Sequence, residues 1–409
     1  MNKNFKLIVI GNIVSSIAAS LYSFCTSLFI LDITKNAMIM SIFLAYSLGL
    51  SIIIQPLAGV YVEHHNKVKI MYITDFFFSL TDILLFFLLC VGNNVVLIMT
   101  LLYVNATINT IMSALFQPAS AALIPNVVGK DYLQKAYSIF SIIGNVTNIF
   151  GIICASLLYS LLGYKWIVLI NGTLIGISAF SELFIKIDES SNSDNGEKKN
   201  YLKEFIQGMD FLRGRKILVI LLAYAVCINA FMAGIFSTTF PFLYKIELSV
   251  EPIFLGMMQV TISLGGIGGA VFVSKREIIN KEKAVFGGFW GVAIVVWCYF
   301  ITYVLFKNEK LSFLVFHIIY LILSFSIGIL AVIIQVSIST IYTIQTDQMY
   351  LSRIMAIRMT LSTASAPIAM LIFGGLLNCF PVKIVFMIAS IGILFIVIFL
   401  RAWSRHLGE

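Results

Sequence analysis

The chain has 409 residues, 60% of them apolar and only 11% charged, and its mean hydropathy is +1.00. Soluble domains carry about 45–50% apolar and about 25% charged residues, so a soluble enzyme and a disordered chain are both excluded. The net charge of +8 gains meaning only when the basic residues are placed along the chain.

A membrane-crossing helix needs about 20 mainly apolar residues. Twelve such stretches follow in order: 7–31, 39–62, 70–91, 95–123, 133–162 and 165–187, then 216–244, 252–274, 283–306, 312–343, 354–378 and 383–403. The polar stretch 188–215 between the sixes contains SSNSDNGEKKN. It reads as a cytoplasmic linker with a short amphipathic helix at Tyr201–Leu212. The expected fold is all-α, a polytopic membrane protein of twelve transmembrane helices in two pseudo-symmetric six-helix bundles, 1–187 and 216–409. Lys3 and Lys6 precede an apolar run too long for the h-region of a cleavable signal, and no A-x-A site follows. The first span is therefore expected to enter from the cytoplasm. With both termini inside, 21 of the 27 Lys and Arg fall on the inner side, as the positive-inside rule requires. The basic excess thus belongs to topology and not to nucleic acid. Compact loops and the lack of a sorting signal suggest a bacterial plasma membrane and a monomer in the bilayer.

The six Cys are scattered without a CxxC pair and read as small buried hydrophobes. The four His show no ligand spacing, so no metal and no cofactor is expected. Residues 122–158 can be laid on 341–377 without a gap, and QPLAG (55–59) matches GGIGG (265–269) in place, each closing a span before a basic loop. Two six-span halves joined by a polar linker are the organisation of a duplicated transporter.

The loop GVYVEHHNKVK (59–69) resembles the G-x-x-x-D-R-x-G-R-R/K signature of the major facilitator superfamily. Gly59 matches the Gly, Glu63 stands for the Asp, His64 for the Arg and Lys67 for the first basic residue. The stretch FQPASAALIPNVVGKDYLQKAYS (116–138) resembles the P-A-x-x-A-L-I-P…L-x-x-A pattern of its macrolide-efflux branch, through Pro118, Ala119, Ala122, Leu123, Ile124, Pro125, Leu133 and Ala136. LDITKNA (31–37) is similar to that branch's first outer loop. One element departs. Where drug antiporters of the superfamily carry G-P-x-x-x-G in span five, this chain reads GIICAS (151–156), with Ile152 for Pro and Ser156 for the last Gly. The element leaves proton-driven antiport open.

The resemblance implies alternating access, with spans one, four, seven and ten lining a central cavity. Cavity candidates there are Asn12, Tyr22, Asn105, Asn109, Asn229, Phe236, Tyr320 and Gln335. Asn105 and Asn109 are i,i+4, and Asn229, Phe236 and Thr239 form a stripe at i, i+7 and i+10. The plainer reading of each is interhelical hydrogen bonding. The resemblance also implies a cytoplasmic gate of Gly59, Glu63, His64, Lys67 and Asp75. Gly59 would let span two approach a neighbour closely, and Glu63 would face the positive N-terminal end of span eleven. His64 in place of a permanently charged Arg implies a weaker, more pH-sensitive latch.

Three acids fall inside predicted spans. Asp75 and Asp82 are seven apart and share one face of span three. Glu182 has Lys186 one turn later, an ordinary i,i+4 pair. A carboxylate inside the bilayer costs about 2.5–3.5 kcal/mol on insertion scales and usually faces the bundle interior. Asp82, about 18 Å into its span, is the first proton-coupling candidate, with a buried hydrogen bond as the alternative. Asp75, Asp32 at the outer end of span one, Glu182 and His317 are the others. No P-loop and no catalytic constellation occurs. The expected function is proton-coupled efflux of a hydrophobic or amphipathic compound such as a macrolide-like drug. The alternatives are an exporter or flippase of a lysophospholipid or siderophore-like metabolite, and a non-transporting receptor or scaffold.

Overall fold

The computed structural model describes residues 3–92, 94–128, 133–185, 209–210, 212, 214–275, 280–346 and 348–406. The amphipathic helix expected at 201–212 falls largely outside the described residues.

The described residues form twelve long helices and no strand. They are α1 (Lys3–Thr34), α2 (Ala37–Glu63), α3 (Lys67–Val91), α4 (Val95–Val128), α5 (Leu133–Leu162), α6 (Tyr164–Glu182), α7 (Lys216–Glu247), α8 (Pro252–Lys275), α9 (Lys281–Lys307), α10 (Phe313–Gln345), α11 (Gln348–Cys379) and α12 (Val382–His406). Eleven contain a stretch long and apolar enough to cross a membrane, and α5 contributes the shorter apolar run Val146–Leu162. The chain is a multi-pass helical membrane protein. Its tight loops follow from local chemistry. Lys35 takes the left-handed conformation (φ 49°), and Asn36 then caps α2 by accepting from the Met38 and Ile39 amides. Asn66 caps α3 through the Lys69 amide and Asn280 caps α9 through the Lys283 amide.

Contacts divide the chain into two compact units, Met1–Asn195 with Tyr244–Gly256, and Gly196–Leu243 with Met257–Glu409. The segment Tyr244–Gly256, at the α7–α8 turn, groups with the first unit. In the first unit α1 packs on α5 and α6, and α3 packs on α4 and α6. The second unit repeats the scheme: α7 packs on α11 and α12, and α9 on α10 and α12. The two segments matched at an offset of 219 residues are α4–α5 and α10–α11.

Helix α7 is not a continuous α-helix. It contains π turns at Gly234–Thr239 and Leu243–Glu247 on either side of Phe240–Phe242. Pro241 lies between them and has no N–H to donate into an i→i−4 ladder, so the hydrogen-bond register widens around it. Thr239 Oγ1 donates to the Gly234 carbonyl (3.0 Å). The inserted residues turn Thr239 into the core, off the stripe that Asn229 and Phe236 share.

Two sequence expectations fail on packing. Only Cys25 is buried, while Cys90 and Cys379 are exposed; an apolar thiol is as comfortable against lipid as inside. A Cβ at Gly59 would meet nothing within 4 Å, so this glycine makes no close approach. The close approaches lie elsewhere. A Cβ on Gly265 would collide with the Phe325 carbonyl, and one on Gly328 with the Ile262 carbonyl, so α8 and α10 meet backbone to backbone through small residues. Overpacking of this kind costs about 1–3 kcal/mol or more. Gly328→Val should therefore lower the melting temperature in detergent by several degrees or prevent recovery of monodisperse protein, whereas Gly59→Ala should leave it within about a degree. Equal behaviour of the two variants would refute the packing assignment.

Candidate functional site

In the first unit, Asp82 is wholly buried and sits inside a ring of amides. Asn105 Nδ2 and Asn109 Nδ2 donate to its Oδ1 (2.9 and 3.0 Å), and Asn171 Nδ2 donates to its Oδ2 (2.5 Å). Three helices supply the groups. Asp82 lies on the α3 stripe that faces α6, Asn105 and Asn109 are one turn apart on α4, and Asn171 comes from α6. Gly172 lets α6 approach, since a Cβ there would lie 3.0 Å from the Asp82 Cβ. A second layer fixes the amides. Tyr22 OH donates to Asn105 Oδ1 (2.6 Å), Asn109 Nδ2 also donates to Asn105 Oδ1 (3.0 Å), and Thr81 donates to Asn109 Oδ1 (3.2 Å). An ionised carboxylate only accepts, and all three first partners donate.

Asp75 and Glu182 form a second acidic centre two turns along α3. Both are buried and lie close enough for their charges to interact. Ser15 of α1 donates to Asp75 Oδ2 (3.4 Å) and to Ser178 Oγ (3.0 Å), and Ser178 donates to the Gly11 carbonyl (3.3 Å). Glu182 Oε2 is buried with no hydrogen-bond partner among the described residues. Lys186, its expected partner, lies outside them. Asn12 sits nearby on α1, half-buried, and accepts from Ser16 (3.5 Å).

Asp32 lies at the outer end of α1, partly exposed. It pairs with Lys245 (2.9 Å) and Lys35 (3.6 Å) and accepts from Tyr159 OH (2.5 Å). Lys245 also lies over the Tyr159 ring at 5.2 Å. At the other end of α2, His64 closes the helix as its exposed C-cap, and exposed His65 stacks on Tyr61 with ring centroids 4.0 Å apart. Lys67 is half-buried at the start of α3. The Glu63 side chain lies outside the described residues.

In the second unit, α7, α9, α10 and α11, with Ile262 of α8, enclose a cavity of about 580 Å³. Asn229, Phe236 and Gln335 line it, with Met232, Phe289, Ile327, Met359 and Arg358. Asn229 Nδ2 donates to Ser362 Oγ (3.0 Å). Tyr320 is not part of this lining. It is fully buried, its OH donates to the Tyr299 carbonyl (3.1 Å), and it packs in an aromatic cluster with Phe240 and Phe316. His317, also buried, stacks on Phe313 at 6.0 Å. Asn105, Asn109 and Tyr22 are engaged with one another around Asp82, as hydrogen-bond partners between helices. Asn171, Tyr159, Lys245 and Arg358 were not singled out from sequence. A polar stripe on α6 at Asn171, Ser178 and Glu182, spaced i, i+7 and i+11, was the available signal for the first.

A family model for the Major Facilitator Superfamily matches residues 8–349. The chain is 23% identical over 294 residues to the uncharacterized MFS-type transporter YvqJ of Bacillus subtilis, across 69% of this chain and 67% of that protein. It is 23% identical over 278 residues to macrolide efflux protein A of Streptococcus pyogenes, across 66% of this chain and 65% of that one. The matches thus span about two thirds of these relatives' length. Among solved structures, a bacterial homologue of the iron transporter ferroportin is similar with a TM-score of 0.72 at 12% identity, over 98% of both chains. The nucleoside transporter NupG is similar with a TM-score of 0.71 at 11% identity, over 98% of this chain and 99% of that one. At these identities the solved structures speak for the fold alone. With the family pattern running through most of its length, twelve helices and the same helix pairing in each unit, the chain belongs to the Major Facilitator Superfamily.

Proposed function

We propose that this transporter is a proton-coupled exporter of hydrophobic or amphipathic compounds, macrolide-like drugs among them, working by alternating access in a plasma membrane with both termini cytoplasmic. The observation that carries the cargo half of this reading is the cavity of about 580 Å³ in the second unit. Its size suits a drug-sized ligand. Its lining is mostly aliphatic, aromatic and thioether, with Asn229, Gln335, Arg358, Ser362 and Thr363 as the polar exceptions. Such walls hold an amphipathic body by contact area and orient it by a few polar groups.

Three buried carboxyl groups support the proton half. Asp82 and Asp75 are two turns apart on α3, about 10 Å along the axis, and Glu182 neighbours Asp75. No cation pairs with any of the three among the described residues. Carboxyl groups in that setting can hold and pass a proton as access alternates. The two centres divide the work. The amide ring fixes the Asp82 carboxylate in place, whereas the Asp75–Glu182 pair is held by fewer groups, Ser15 donating to Asp75 and Glu182 Oε2 having no partner among the described residues. Asp32, tied to Lys245 and Tyr159, holds the outer end of α1. A cargo of lysophospholipid or metabolite type is the second reading, favoured by Arg358 in the cavity.

Cells expressing the protein should accumulate less of at least one member of a panel of labelled macrolides, dyes and lysolipids, and a protonophore should remove the difference. A difference that survives the protonophore would exclude proton coupling.

Asp82→Asn keeps the shape but places an N–H₂ where Asn171 donates, leaving a buried donor unsatisfied at a cost of about 1–3 kcal/mol. Its melting temperature should fall. The swap Asp82→Asn with Asn171→Asp should recover much of it, while proton-driven transport in proteoliposomes stays lost in both. Full transport by the folded swap variant would remove Asp82 from coupling.

Asp32→Asn and Lys245→Gln should show a coupling energy of about 0.5–3 kcal/mol in a double-mutant cycle on detergent stability. Strict additivity would mean that the ion pair does not form.

A further inference from the structure

We propose that the cavity among α7, α9, α10 and α11 is an anion site. It is built to take an amphiphile whose single acidic head, a carboxylate or a phosphate, sits on Arg358 while its apolar body runs toward Phe236. The proposal rests on the reading of this cavity as the cargo site and narrows its cargo to acidic members.

Arg358 lies near the start of the membrane-spanning part of α11, Ile357–Cys379, and is half-buried in the cavity wall. A guanidinium has five N–H donors. Here Nη2 donates to Ser339 Oγ (3.3 Å), and the group lies over the Tyr342 ring at 5.5 Å. Its Nε is buried without a hydrogen-bond partner. No carboxylate lines the cavity, and none pairs with Arg358 among the described residues. A cation held in an apolar wall without a counter-charge is costly, and the Tyr342 face offsets only part of that cost. An anion in the cavity would supply the missing counter-charge and accept from the guanidinium edge that lines the cavity.

The polar groups gather at the same end. Ser362 is one turn from Arg358 on α11, and Asn229 is bonded to it. From Ala225 to Phe236 the cavity follows α7 for eleven residues, roughly 16 Å, and Met232, Ile262 and Ile327 make its walls apolar beyond the charged end. Head and tail regions are therefore separate. An ammonium placed at the head end would meet Arg358 as a like charge, which turns the preference away from amine-bearing drugs.

The test ranks binding of four probes with the same twelve-carbon chain to the purified full chain in a maltoside detergent, by native mass spectrometry. The probes are laurate, lauroyl lysophosphatidate, monolaurin and dodecylammonium. Laurate and lysophosphatidate should bind at least tenfold tighter than the neutral and cationic probes. The tighter of the two separates a free acidic metabolite from a membrane-derived lipid as the source. Arg358→Gln should erase the preference and Arg358→Lys should keep part of it; a size-exclusion profile matching the parent's shows that each variant is folded. The wild-type ranking stands alone if a variant does not fold. Equal binding of all four probes, or a preference that survives in folded Arg358→Gln, would overturn the anion site while leaving the cargo cavity intact. Binding of none of the four would overturn the cavity reading as well.

Discussion

Inside a bilayer, a polar group that finds no partner in the protein finds none at all. That constraint organises the first unit around Asp82. A carboxylate there costs about 2.5–3.5 kcal/mol to insert, and hydrogen bonds between membrane helices return about 0.6–1.7 kcal/mol each. One amide would leave a deficit. Three, from Asn105, Asn109 and Asn171, bring the two sides level. The acid therefore determines how α3, α4 and α6 must meet, and Gly172 and the paired asparagines follow from it. Tyr22 then ties α1 to the same centre.

The second unit uses the same helix pairing with a different filling. Where the first unit has a charged centre and amides, the second has a stacked pair, Tyr224 and Phe289, and a cluster of Tyr299, Tyr320 and Phe386 around Phe240, all buried. Aromatic rings pack without needing counter-charges, so this unit can leave a cavity in its wall without orphaning a polar core. A hole beside Asp82 would admit water to a hydrogen-bond ring that depends on dryness. A hole beside Phe236 costs only dispersion contacts.

Much of this was legible in the sequence because it is local. The twelve apolar stretches are set by length and hydropathy, and they coincide with α1 to α12. The shared face of Asp75 and Asp82, and that of Asn105 and Asn109, follow from 3.6 residues per turn. What was not legible depends on which neighbour each face meets. Asn171 completes the ring from 89 residues away, and Lys245 reaches Asp32 from the α7–α8 turn; both contacts are tertiary. Tyr320 carries the polar handle of a cavity residue but spends it on the Tyr299 carbonyl. Arg358 counts as an inner-side charge by position, and only the fold shows that its helix turns it into a cavity. Gly59 matches a family signature, yet a Cβ there would meet nothing within 4 Å, while Gly265, in the run read only as a repeat trace, and Gly328 on its partner helix are where backbones meet.

Span five shows how a departure from a family pattern can be absorbed. Ser156 stands where the related antiporters have glycine, which would thicken α5 at that point. The opposing residue is Gly256 in the first turn of α8, and a Cβ there would lie 2.8 Å from the Ser156 side chain. Gly256 is the small residue that allows this close approach. Gly151, which does match, does the same service toward α1, where a Cβ would meet Ser20 at 2.7 Å. The geometry that the glycine element provides thus persists without its sequence. At position 152, where the resembled element has proline, Ile152 supplies a backbone donor, and α5 runs unbroken from Leu133 to Leu162.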